Sequence, residues 1–409
     1  MLRKISLDQL VPGMFIQELC GSWMEHPFWK TQFILSDPKD LQRLRDSSIR
    51  ELWIDTSKGR DVERPELAVS ESSSEAEVES TLAKAAEESR QVSPSSTREE
   101  LSRAAAICSK SQQAVSAMFG EARMGKAIDT VVARKVVEEI SDSVTRNSGA
   151  LISLARLKTA DEYTYMHSVA VCALMVALAR QLGLDEEATR TAGTAGLMHD
   201  LGKAMIPMDV LNKPGRLTEE EFALVRRHPE EGHRLLLQAG SAIDEKTLDV
   251  CLHHHEKTDG SGYPHALKDD QIDLFAKMGA VCDVYDAITS NRPYKAGWDP
   301  SESIRKMAEW TDGHFDKRIF HAFVKSLGIY PTGSLVRLES GKLGVVIEQS
   351  RESLLKPIVK VFYSTKAKAR IAPKVVDLSL PHCQDGVAER EDPAQWNFPD
   401  LDELWSGGG

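Results

Sequence analysis

A chain of 409 residues is too long for one ordinary core, so two or three domains are expected. It is 41% hydrophobic and 28% charged, and its longest apolar run (169–179) is too short to cross a bilayer, so the expectation is a water-soluble globular protein and no membrane span. Of the net charge of −11, residues 61–100 contribute −7 (eleven acids, four bases), which leaves no basic footprint for a nucleic-acid polymer but permits a small anionic substrate where metals or a few Lys and Arg gather positive charge locally.

Residues 1–58 read as a small α+β domain. Val11-Pro12-Gly13-Met14 is a turn, Phe33-Ile34-Leu35 a short strand, Pro38 starts a helix through Asp46, and Glu51 to Asp55 forms a returning strand. The opening residues contain no apolar h-region, so no signal peptide is expected. Trp23, Trp29 and Trp53 are core or a binding surface, with core favoured. Residues 59–98, rich in Ser and Glu and free of aromatics, read as an acidic linker with some helix around Ala83 to Glu88. Residues 99–150 show helical spacing (Ile107, Val115, Met118, then Val132, Val136, Ile140) and offer a face to the next domain or to a second subunit, which would make a homodimer.

From 151 to 328 the expectation is all helix. Tyr163 to Leu182 ends at Gly183, and Asp185 caps a helix that stops at Gly202. Thr218 and Glu221 make a capping box. Asp244 to Glu256 and Ile272 to Ser290 follow, then two shorter helices near 303–310 and 317–327. Residues 329–384 change period: Ser334 to Glu339 and Leu343 to Glu348 form a β-hairpin, with a third strand from Pro357 to Tyr363. The acidic end, 385–409, reads as loose. The fold class is therefore mainly α, a helical bundle with a small α+β domain before it and a β-hairpin extension after it. Six cysteines without a C-x-x-C pair suit reduced thiols, and so a cytoplasmic protein.

The residues with chemistry lie on the consecutive helices. His167 is in the first, and His199-Asp200 closes the second. His228 opens Arg227-His228-Pro229, His253-His254-His255 ends another helix, and Asp283 lies within an apolar run. A charge inside an apolar helix is costly unless it is paired, and a metal removes that cost. Five imidazoles and two carboxylates suffice for two metals in a bundle core, with Asp200 able to bridge them. Metals about 3.5–4 Å apart can hold a hydroxide between them and support in-line displacement at phosphorus. Mixed nitrogen and oxygen donors favour iron, manganese, nickel, cobalt or zinc over calcium.

His199-Asp200-Leu201-Gly202-Lys203, then His254-His255-Glu256 and Asp259-Gly260-Ser261-Gly262-Tyr263-Pro264, resemble the HD-GYP family of cyclic di-GMP phosphodiesterases in the HD superfamily. Arg292-Pro293-Tyr294-Lys295 extends the resemblance, which covers roughly 150–328. It implies a cytoplasmic enzyme of bacterial second-messenger signalling that hydrolyses cyclic di-GMP to pGpG, and onward to GMP by a second cut. It implies His167, His199, Asp200, His228, His254, His255 and Asp283 as ligands of two divalent ions, iron or manganese first. One ion would take His167, His199, Asp200 and Asp283, the other Asp200, His228, His254 and His255.

Lys203 matches the lysine beside the scissile phosphate, with Asp200 the second catalytic residue, and Arg292 and Lys295 match dinucleotide contacts. Gly262, Tyr263 and Pro264 match the signature loop, linked in the family to GGDEF-domain partners. Some members carry a Glu four residues before the first His and bind a third metal. Here that position is Tyr163, with Glu162 one step off, so a binuclear site is expected. Phe315-Asp316-Lys317 replaces the family's Phe-Asp-Pro, and His253 has no matching ligand role. Two other readings compete: a scaffold acting through the Tyr263 loop, and an HD hydrolase of another nucleotide.

Overall fold

A computed structural model describes residues 1–406 except 22–25, 27, 29–31, 48, 87–96, 127, 158–162, 214, 216, 240–242, 292–296 and 351–352. Trp23, Trp29, Glu162, Arg292 and Lys295 fall outside the described residues, as does the side chain of Tyr163.

The chain opens with five antiparallel strands: β1 (Leu2–Ser6), β2 (Phe15–Leu19), β3 (Phe33–Ile34), β4 (Glu51–Asp55) and β5 (Val69–Ser70), in the order β3-β2-β4-β1-β5. Helix α1 (Pro38–Arg45) starts at Asp37, whose carboxylate accepts the Lys39 N–H at 2.8 Å, an ordinary N-cap. Ile5, Leu10, Ile16, Leu35, Leu44 and Ile54 form a core between this helix and the sheet. Trp53 is buried, at 7% exposure.

Within the stretch read as a linker, residues 71–86 form helix α2 (Glu71–Ala86). Ser74, Val78 and Leu82 face inward at intervals of four while their neighbours remain exposed. Val78 and Leu82 join the main core, and α2 packs on the late helices α13 and α14 introduced below. Two apolar residues among glutamates and serines make too narrow a stripe for composition to reveal.

The bundle begins with α3 (Thr97–Arg123), α4 (Thr130–Arg146) and α5 (Ser148–Arg156). At its centre lies α6 (Tyr163–Gln181), whose segment 166–179 is buried on all sides. Around it stand α7 (Glu186–Met198), α8 (Met208–Leu211), α9 (Glu219–Val225), α10 (His228–Gln238), α11 (Glu245–His253), α12 (Leu274–Thr289), α13 (Pro300–Glu309) and α14 (Lys317–Leu327). Among the described residues no helix is long and apolar enough to cross a membrane.

The C-terminal part is larger than the expected hairpin and third strand. Strands β6 (Leu335–Leu338), β7 (Lys342–Glu348), β8 (Ile358–Ser364), β9 (Ala369–Asp377) and β10 (Val387–Arg390) form one antiparallel sheet in the order β10-β6-β7-β8-β9. Within the acidic end, residues 387–406 carry regular structure rather than the expected loose tail. Its short helices α15 (Pro393–Trp396) and α16 (Leu401–Ser406) carry Trp396, Phe398 and a buried Trp405 onto Leu335, Val345 and Phe362 of the sheet. Three aromatics in an acidic stretch were the available signal, since such rings bring enough apolar surface to order a short segment.

Candidate metal centre

Five imidazoles and two carboxylates converge where α6, α7, α10, α11 and α12 meet. His167 lies one turn into α6, and His199 and Asp200 follow the last residue of α7. His228 opens α10, His254 and His255 follow α11, and Asp283 is in mid-α12. Six of the seven are at most 3% exposed, so water does little to screen them. The His255 side chain is 15% exposed.

Glycines bring these elements together. A Cβ on Gly196 would stand 2.9 Å from the Cys172 Cα, so its absence lets α7 lie directly on α6. A Cβ on Gly202 would meet the His228 carbonyl oxygen at 1.9 Å and the Gly232 nitrogen at 2.5 Å. Only glycine lets the 3₁₀ turn at Leu201–Met205 touch the start of α10, and that contact sets His228 beside Asp200.

Asp200 stands between two groups of rings. Its Oδ2 is 3.3 Å from His167 Nε2 and 3.4 Å from His199 Nε2. Its Oδ1 is 3.2 Å from His228 Nε2 and 3.8 Å from His254 Nε2. Asp283 Oδ1 lies 3.0 Å from His167 Nε2, and its Oδ2 lies 3.7 Å from His255 Nδ1. His228 Nε2 is 3.3 Å from His254 Nε2 and 3.2 Å from His255 Nε2. Two sets of three donors result: His167, His199 and Asp200, and His228, His254 and His255.

The protonation pattern fits a cation. Nδ1 of His199 donates to the Gly196 carbonyl at 2.8 Å, that of His228 to Val225 at 2.7 Å, and that of His254 to Val250 at 3.0 Å. A carbonyl can only accept, so each neutral ring presents a lone pair at Nε2. Burial holds His228 and His255 below the usual histidine value and takes His254 down to about 3, so these rings stay neutral. Lone pairs therefore face one another across about 3.3 Å. Burial alone would raise Asp200 and Asp283. Lys203 beside the first and His167 beside the second hold both well below the carboxylate range. Yet Asp200 Oδ1 and Asp283 Oδ2 are buried without a hydrogen bond. Ionised oxygens and imidazole lone pairs aimed at common points form a donor set for mid-series divalent metals.

The surrounding groups orient this set. Lys203 Nζ lies 2.5 Å from Asp200 Oδ2. Burial lowers His167, but its contacts with Asp200, Asp283 and Asp286 outweigh burial and raise it to about 10. His253 points away from the centre: its Nδ1 donates to Asp249 at 2.8 Å and its Nε2 is 3.1 Å from His265 Nδ1. The loop after His255 folds back onto it. Glu256 accepts the N–H groups of His265 and Leu267 at 2.7 and 2.9 Å. The Tyr263 ring stacks on His255 with centroids 4.7 Å apart and planes 22° from parallel.

Residues 2–133 match a domain of unknown function (DUF3391), and residues 141–319 match the HD domain. A protein of Pseudomonas aeruginosa named a cyclic di-GMP phosphodiesterase is 55% identical over 412 aligned positions, covering 100% of this chain and 96% of its own. The chain belongs to the HD-GYP family. Two further relatives match a smaller share of the chain. A response regulator of Xanthomonas campestris named a cyclic di-GMP phosphodiesterase is 38% identical over 42% of this chain and 47% of its own length. A Vibrio cholerae protein named a 3'3'-cGAMP-specific phosphodiesterase is 34% identical over 40% of this chain and 38% of its own.

One residue of the HD-GYP site escaped sequence reasoning. Asp286 Oδ2 lies 2.6 Å from His167 Nδ1. It sits three residues after Asp283, on the same face of α12, and that spacing of two acids within an apolar helix was the signal.

Proposed function

We propose that this HD-GYP protein is a metal-dependent phosphodiesterase that hydrolyses cyclic di-GMP to pGpG. The observation that carries the reading is Asp200: a buried carboxylate whose two oxygens are divided between two groups of imidazoles, with one oxygen lacking a hydrogen bond. His167, His199, Asp200 and Asp283 would hold one ion, and Asp200, His228, His254 and His255 the other. Bound divalent ions would supply Lewis-acid activation of water and of the phosphoryl oxygens. Iron or manganese suits the mixed donors.

The chain's own groups account for the rest. Water adds to phosphorus and gives up a proton, the bond from phosphorus to the ribose O3′ breaks, and the departing O3′ takes up a proton, so that one water is consumed for each bond cut. Lys203 Nζ, held at Asp200 Oδ2, brings a positive charge to the edge of the site, where it offsets charge building on the phosphate and on that oxygen. The burial of the ligands keeps water from screening this interaction. Arg292 and Lys295 would hold the dinucleotide, the guanidinium suiting a phosphate or a guanine edge. None of the six cysteines is in a disulfide, which suits a reducing cytosol.

Anaerobically purified protein should contain two tightly held ions per chain and convert cyclic di-GMP to pGpG. Three tight ions would overturn the binuclear assignment. Asp200→Ala should abolish turnover, and retained activity in that variant would end the two-metal reading. The cGAMP-specific relative supports a second reading, in which another cyclic dinucleotide is the preferred substrate. A higher kcat/KM for 3'3'-cGAMP than for cyclic di-GMP would establish it.

A further inference from the structure

Four of the five imidazoles are fastened by a hydrogen bond at Nδ1. His199, His228 and His254 use backbone carbonyls, and His167 uses the Asp286 carboxylate. Among the described residues His255 shows no such bond: Asp283 Oδ2 stands 3.7 Å from its Nδ1, beyond hydrogen-bond reach. A ring held only through its Cβ can rotate and turn its lone pair away from the cation. Something else must fix its plane.

The signature loop is built to do this. A Cβ on Gly262 would lie 2.5 Å from the Glu256 Cα and 2.6 Å from the His255 carbonyl oxygen, so glycine lets the loop rest on the backbone of 255–257. The next residue, Tyr263, donates its N–H to that carbonyl at 3.2 Å, and its ring lies almost parallel to the His255 ring. Tyr263 is also the platform for a cation: the Arg226 guanidinium carbon is 4.4 Å from its ring centroid. Arg226 ends α9, two residues before His228, so the clamp joins the segment that leads to one histidine with the loop that covers another.

We propose that Arg226 and Tyr263 are positioning residues that set the plane of the His255 imidazole by stacking. The inference rests on the metal reading of the site. It gives the Tyr263 ring a duty inside the protein, where the family resemblance suggested a surface for partners. The cation draws on the tyrosine's π density, and the stacked pair resists rotation of the histidine.

The test is Co²⁺ binding to the full, metal-stripped chain, followed by calorimetry and by the d–d absorption of the ion. Wild type should take two ions. Tyr263→Ala should weaken one of them by roughly 10–100-fold, as losses of orienting groups do, and leave the other unchanged. Tyr263→Phe keeps the ring and should stay close to wild type. Arg226→Gln should cost roughly 2–10-fold at the same ion. In a His255→Ala background, Tyr263→Ala should add nothing. Wild-type binding of both ions by Tyr263→Ala, or equal losses in Tyr263→Phe and Tyr263→Ala, would overturn the proposal. Should Tyr263→Ala fail to fold, Arg226→Gln and Tyr263→Phe decide it: two unchanged ions in Arg226→Gln, or a loss in Tyr263→Phe, overturns it. A wild-type chain that binds no Co²⁺ would overturn the metal reading and this inference together.

Discussion

The carboxylate of Asp286 accepts a hydrogen bond from His167 Nδ1 at 2.6 Å, while the other nitrogen of the same ring faces Asp283 at 3.0 Å. One imidazole is thus held between two acids of α12, which fixes its orientation. Asp286 also raises the basicity of the ring that would meet the metal. Asp286→Ala should weaken the ion at His167 by roughly 10–100-fold, measured by metal titration, while the ion at His228 and His254 keeps its affinity. Equal weakening of both ions would point to general unfolding of α12.

Lys203 is the one cation within 2.5 Å of the Asp200 carboxylate, among the described residues. On the proposed mechanism its charge would serve the departing oxygen more than substrate in the ground state. Lys203→Met should therefore lower kcat by about 10²-fold, the usual scale for removing one electrostatic stabiliser, with a much smaller change in KM. Metal content should survive, because removing a cation beside Asp200 does not weaken a site for cations. Loss of both ions in Lys203→Met would show that the lysine acts on the site's assembly.

The parts of this site that could be read from sequence are those in which chemistry conflicts with surroundings. His167 and Asp283 stand out because an apolar helix has no other use for them, and His199-Asp200 and His254-His255 because they end helices side by side. Asp286 sits in the same apolar run as Asp283, one turn further on, and its spacing is the only mark that separates it from an ordinary polar residue of the helix. Arg226 gave no signal at all: an arginine in a polar helix end is ordinary, and only the fold brings it over Tyr263. The same contrast runs through the fold. The long apolar helices announce themselves, whereas α2 buries only Val78 and Leu82 of its large residues and strand β9 exposes most of its length. Their order comes from what they pack against.

The buried histidines make the metal-free protein acid-sensitive. His228, His254 and His255 have folded pKa values below the ordinary 6.5, so the unfolded chain takes up protons first as pH falls. Their contribution is unchanged above about 6.5, declines below it, and for His254 continues to decline to about 3. His167 has the opposite sign: raised to about 10, it stabilises fully below 6.5 and loses that effect as pH climbs from 6.5 to 10. Three depressed rings against one raised ring should make the Tm of chelator-treated protein fall between about pH 7 and about pH 5. Metal affinity should fall over the same range, since protons compete for the same nitrogens. A Tm that rises on acidification would contradict the neutral assignment of these rings.

Gly202 tests how closely the centre depends on backbone contact. A methyl group there would sit 1.9 Å from the His228 carbonyl oxygen and 2.5 Å from the Gly232 nitrogen, both rigid backbone atoms. No side-chain rotation relieves that clash, so the turn carrying Asp200 and Lys203 must move off α10. Gly202→Ala should destabilise the fold by about 1–3 kcal/mol, the range for overpacking a tight contact. Its larger effect should be on the site, because the displacement separates Asp200 from His228, now 3.2 Å apart. Turnover should fall far more than stability, and saturating metal should restore little of it. Gly125→Ala is the control: that glycine has a φ of +70° and nothing surrounds it, so the substitution should cost stability through the backbone without touching metal binding. If Gly202→Ala matched Gly125→Ala in metal affinity and kcat, close approach at the turn would not be what holds the two halves of the centre together.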